Sequence, residues 1–77
     1  MPKSAFSRKS RQLRGLLISA REAAGLTQVA LAKKLGRPQS FVSKFETGER
    51  RLDVIEFLEI ARVLRVDAIG LIRQLEQ

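Results

Sequence analysis

Residues 28 to 47 read QVALAKKLGRPQSFVSKFET, and the punctuation of this stretch decides the fold class. Thr27, just ahead of it, is a good N-cap for a helix that runs to Leu35 and turns Leu31, Ala32 and Leu35 inward. Gly36 ends that helix and makes a turn. Pro38, whose fixed φ suits a first helical turn, favours a new start. The next helix should run to about Thr47, before Gly48. The small Ala32 permits close approach of the two helices, and Val42 and Phe45 anchor the later one to a core.

Outward from this pair the helical pattern continues. From Ser7 to Ala24, apolar residues recur at Leu13, Leu16, Leu17, Ala20 and Ala24, the spacing of a helix with one buried face, and Gly25 stops it. Arg50 and Arg51 open a loop, Asp53 can cap a fourth helix through Leu64, and Asp67 can cap a fifth from Ala68 to the C-terminus. No segment alternates with period two for long enough to make a strand. The expectation is an all-α, compact five-helix domain over residues 8–77, preceded by a flexible basic tail over residues 1–7. At 77 residues there is room for one domain, which buries only roughly 60% of the surface of its unfolded chain.

The formal charge is +7 and one-sided. Residues 1 to 51 carry 12 Lys and Arg against 3 acids, a net of +9, whereas residues 52 to 77 carry 3 against 5, a net of −2. A basic face of this kind suits a polyanion, either nucleic acid or an acidic membrane, or is simply solvated. The only short apolar run, Leu16-Leu17-Ile18, is hemmed by Arg14 and Arg21 and cannot serve as a signal peptide or a membrane span. The absence of cysteine excludes disulfides and thiolate metal sites and is compatible with a reducing cytoplasm.

Catalysis is not expected. With neither His nor Cys, the usual general base, the thiol nucleophile and most metal ligands are missing, and the serines have no imidazole to activate them. Glu56, Glu59 and Arg62, three apart along one helix, read as a solvated, mutually paired face. No Gly-rich phosphate loop occurs, and no cofactor is expected.

On the helix after Gly36, advancing about 100° per residue from Gln39 gathers Val42 and Phe45 on one side. Ser40, Ser43, Lys44 and Thr47 fall on the other, with Gln39 at the boundary. That outer face is polar and uncrowded, as a helix entering a groove about 12 Å wide must be. Phe41, at the edge of the inner face, reads as packing.

The ordered set Gly25-Leu26-Thr27-Gln28, Leu31-Ala32, Leu35-Gly36, Gln39-Ser40, Val42-Ser43-Lys44 and Glu46-Thr47-Gly48 resembles the helix-turn-helix of the phage repressor and Cro-type family, also called the XRE family, from about Arg11 to Val66. Pro38 departs from it, because many relatives have Ser or Thr there. The resemblance implies a lambda-repressor-like domain whose second and third helices form the helix-turn-helix, acting as a sequence-specific regulator of transcription on double-stranded DNA. It implies that Gln39 reads a base, braced by Gln28, and that Arg21 and Glu46 form a partly buried salt bridge.

Chemistry extends these assignments. A glutamine amide can both donate to and accept from an adenine edge, which makes Gln39 the first base-reading candidate. Ser40 and Ser43 can reach base edges or phosphates, and Lys44 can read guanine or neutralise a phosphate; an ordinary solvated helix face is the alternative for all three. Gln28, at a helix start where free N–H groups favour an anion, is a phosphate candidate, as are Thr47 and the flanking Arg37, Arg50 and Arg51. Arg8, Lys9, Arg11 and Arg14 oppose the dipole at a helix N-terminus, and serve either as a basic arm near phosphates or as a solvated tail.

The last two helices, residues 53–77, carry more apolar side chains than one buried stripe needs. Val63, Ile69, Leu71 and Ile72 are candidates for a twofold homodimer contact that would set two recognition helices about one DNA turn apart on a palindromic operator. The expected partners are double-stranded DNA, a second copy of the chain and, through the same helices, another protein, as in an antitoxin that regulates its own operon. A cytoplasmic, bacterial or phage-encoded protein without membrane contact is expected.

Overall fold

A computed structural model describes the backbone of residues 2–77 and the side chains from Arg8 onward; Met1 and the side chains of residues 2–7 lie outside the described residues. Five helices follow one another: α1 (Pro2–Ala23), α2 (Gln28–Leu35), α3 (Gln39–Thr47), α4 (Val54–Leu64) and α5 (Ala68–Glu76). There is no strand among the described residues. The helix α1 begins five positions before the Ser7 start expected from the apolar pattern, with a proline in its first turn, where the missing N–H would have no intrahelical partner. The backbone expected as a tail is thus, from Pro2, part of α1. No described helix is long and apolar enough to cross a membrane.

Local chemistry sets the boundaries. The Thr27 side chain accepts from the Ala30 N–H at 3.0 Å and opens α2. Gly36, at φ 68°, closes it: its N–H donates to Lys33 O, and the Arg37 N–H reaches back to Ala32 O. Pro38 stands at the N-cap of α3 in extended conformation without a side-chain cap. Asp53 does more than was expected of it, forming a reciprocal capping box in which its carboxylate accepts from the Glu56 N–H at 2.7 Å and Glu56 accepts from the Asp53 N–H at 3.1 Å.

α4 ends and α5 begins where expected, at Leu64 and Ala68, but the connection between them is not built on an Asp67 side-chain cap. Asp67 occupies the N-cap position of α5 but its side chain caps nothing, because its carboxylate lies over Gly70, within 2.9 Å of where a Cβ would stand. Between α4 and α5 the left-handed residue is Arg65, at φ 59°, the one non-glycine residue with positive φ among those described.

Leu17, Leu31, Val42, Phe45 and Ile60 are the largest fully buried side chains, joined by Phe41, Phe57, Leu64 and Leu71. Each such burial contributes roughly 1.5–3 kcal/mol by the area it removes from water. Around this centre α3 packs on α2 and α1, and α5 on α1 and α4. Leu26 and Leu52, in connecting segments, close the core's edge, while Ala24 lies beyond the end of α1 and is exposed.

Candidate nucleic-acid interface

The inward side of α3 is fixed by Val42 and Phe45, 0% and 1% exposed, and by Phe41, whose ring meets that of Phe45 edge-on at 5.6 Å. This leaves Gln39, Ser40, Lys44 and Thr47 exposed and Ser43 half-buried on the outward side. Neither Gln39, Ser40 nor Lys44 has its side chain engaged by another described residue. Thr47 is committed differently: its hydroxyl lies 3.2 Å from Lys44 O and 3.3 Å from a Glu49 carboxylate oxygen, so its donor is spent within the chain.

Behind this face, Arg21 of α1 and Glu46 of α3 come together. Arg21 Nε donates to Glu46 Oε2 at 2.8 Å and Nη2 to Oε1 at 3.2 Å, while Nη1 donates to Leu26 O at 2.8 Å. The side chains are 12% and 5% exposed. Hydrogen bonding to Glu46 raises the guanidinium pKa against the opposing cost of burial. Gln28 joins them, its Nε2 donating to Glu46 Oε1 at 2.8 Å. The expected brace from Gln28 to Gln39 is absent among the described residues, because Gln28 turns its amide nitrogen onto the salt bridge. Three helices are thereby tied through one carboxylate.

The flanking arginines are placed differently from the sequence reading, which had them open to phosphate. Arg50 donates from Nη1 to Glu56 Oε1 at 2.9 Å and from Nη2 to Oε2 at 2.7 Å. Arg37 donates from Nη1 to Glu56 Oε2 at 3.4 Å, and its Nη2 lies 3.7 Å from Glu59. Both guanidinium carbons sit over the Phe41 ring, 4.6 and 4.9 Å from its centroid. Glu56 is accordingly 7% exposed and not part of a solvated face. Hydrogen bonds from Arg50 first, then from the Asp53 N–H and Arg37, hold its carboxyl down at about 2 although burial pushes the other way. Arg51 is exposed, and its carbonyl accepts from Arg50 Nη1 at 3.1 Å.

Two of the four cations in the basic cluster on α1, Lys9 and Arg14, have a setting within the fold. Lys9 Nζ donates to Leu75 O and Gln12 Nε2 donates to Gln74 O, so the first part of α1 satisfies carbonyls at the C-terminus of α5, where the helix dipole favours a cation. Arg14 lies across Gly48 at the end of α3, its guanidinium carbon 2.9 Å from where a Cβ would stand. Lys9, Arg11, Arg14, Arg50 and Arg51 border a groove of about 510 Å³ that Leu17 and Phe45 also line.

Of the four dimer candidates, Ile69 and Ile72 are 64% and 43% exposed, and Val63 is half-buried against the core. Leu71 points the other way, 9% exposed within the core, because the register of α5 against α1 and α4 admits it in place of its neighbours. It is removed from the candidate surface. Val54, Ile55 and Leu58 on α4 add to the exposed apolar side chains.

A family model described as Helix-turn-helix matches residues 17–71. Among solved structures, an XRE-family like protein from Pseudomonas syringae pv. tomato is similar to this chain at 51% identity, with a TM-score of 0.93 over 97% of this chain and 92% of that one. No curated protein matches.

Proposed function

The chain belongs to the XRE-type helix-turn-helix family, a DNA-binding regulatory fold, and from that premise we propose that it is a sequence-specific transcriptional regulator, a repressor or autoregulator, that reads the major groove of a palindromic operator as a homodimer. The observation that carries this reading is the outward side of α3, where Gln39, Ser40 and Lys44 project unengaged from a helix locked by Phe41, Val42 and Phe45. A rigid helix with adaptable polar side chains is what base readout requires.

In this scheme Gln39 pairs with an adenine edge, and Ser40, Ser43 and Lys44 contact neighbouring bases. Gln28 at the start of α2, together with Arg51 beyond the far end of α3, meets phosphates and sets the register, and Thr47 joins them by turning its hydroxyl from Lys44 O onto a phosphate oxygen. At Gln28 the donors are the backbone N–H groups at the start of α2 and the second N–H of its side-chain amide, the first being held by Glu46. Exposed Ile69 and Ile72, with half-buried Val63, support pairing of two copies. The same apolar surface also supports an antitoxin-like protein partner, in which case the purified chain alone sediments as a monomer. The scheme puts the protein in the cytoplasm, at the nucleoid when bound.

Selection from a random duplex pool tests the proposal. Enrichment of a symmetric motif with half-sites about 10 base pairs apart supports a dimeric regulator. Binding that enriches nothing contradicts it and leaves a general duplex binder.

A further inference from the structure

Arg37 lies just before the N-cap of α3 and Arg50 two residues past its C-cap, so the two cations bracket the recognition helix where a DNA backbone would pass on either side. Yet both are turned onto the same buried carboxylate. Each oxygen of Glu56 accepts twice: Oε1 from Arg50 Nη1 and the Asp53 N–H, Oε2 from Arg50 Nη2 and Arg37 Nη1. Glu56 takes the Arg50 fork with both oxygens, as a phosphate would. The capping box fixes Glu56 from the backbone side, and Phe41 of α3 lies under both guanidinium groups.

We infer that Glu56 is a specificity-determining residue, an internal stand-in for phosphate that keeps Arg37 and Arg50 from sequence-blind attachment to the DNA backbone. The inference rests on the DNA-binding reading above. A phosphate reaching either arginine would have to displace a tethered carboxylate, and Glu59 adds a second negative charge beside Arg37. The two cations are therefore matched within the protein and release few counterions on binding. The attraction common to all duplexes is lowered, and discrimination is left to the side chains on the face of α3.

The experiment measures the affinity of the full chain for a duplex of random sequence by fluorescence anisotropy between about 50 and about 200 mM salt, where each neutralised phosphate contributes a slope of about 0.9. With Glu56→Gln the two arginines become available, and the salt dependence steepens by up to about 1.8, which is about twelvefold more loss of affinity over that range. With Arg37→Gln the slope stays that of the wild type, whereas Arg51→Gln, which removes a cation the scheme sets on a phosphate, lowers it by about 0.9. A slope for Glu56→Gln equal to or shallower than the wild type overturns the inference, as does a shallower slope for Arg37→Gln. Should Glu56→Gln fail to fold, the Arg37→Gln slope decides alone. A wild-type chain that binds no duplex overturns the proposed function and this inference together, while a wild type that binds and selects beside an unchanged Glu56→Gln slope overturns only the inference.

Discussion

Arg50 and Glu56 face each other fork to fork across the join between α3 and α4, at 2.9 and 2.7 Å, with the carboxylate 7% exposed. The pair closes the loop that follows the recognition helix against the start of the next one, and α3 meets it through Phe41.

Acid should therefore weaken the fold through Glu56. Its carboxyl is held at about 2 in the folded protein against 4.5 ordinarily, so between these values the unfolded chain binds the extra proton. The stabilisation is complete above the ordinary value and is lost as pH falls from there toward the folded one. Urea midpoints measured down this window should fall in the wild type and fall less in Glu56→Gln. Parallel curves for the two proteins would remove Glu56 from the account of acid stability.

Glu46→Ala should destabilise the domain by about 3 kcal/mol, since it leaves the Arg21 guanidinium without its carboxylate at a site where both partners are largely out of solvent. For a domain of this size the loss lowers Tm by roughly 12–24 °C, readable by circular dichroism. A change of a degree or two would mean that α1 and α3 are held together by the apolar core alone.

Arg65→Gly should raise stability by about 0.5–1 kcal/mol, because Arg65 sits at φ 59° while its N–H and that of Val66 close α4 onto Arg62 O and Ala61 O. Glycine keeps those hydrogen bonds without the Cβ clash. Chemical denaturation measures it, and a loss of stability would show that the arginine side chain contributes more there than its backbone costs.

Much of this arrangement could be read from the chain because its causes are local. Thr27, Gly36 and Asp53 mark helix ends through bonds spanning only a few residues, and the two-sidedness of α3 follows from Val42 and Phe45. Glu56 escaped, because its spacing to Glu59 and Arg62 suggests a solvated stripe, whereas it is covered by partners outside that stripe, Arg50 and, 19 positions earlier, Arg37. One local signal pointed to it: Asp53 followed three residues later by Glu56 is a capping box, which turns that glutamate back toward the loop. The Lys9 contact with Leu75 joins opposite ends of the chain, and nothing in a periodic pattern reports it. Leu71 was misplaced because Ile69, Leu71 and Ile72 are all apolar within one turn, and only packing against α1 and α4 chooses among them. Arg65 was hidden by the absence of a glycine.

The central claim is that Gln39 reads a base from the outward side of α3, and it is tested most directly by running the duplex-pool selection on wild type and Gln39→Ala side by side. The account predicts that the variant keeps the overall motif, loses preference at one position in each half-site, and binds the best site about 1–3 kcal/mol more weakly. An unchanged preference at every position, with binding retained, would contradict it.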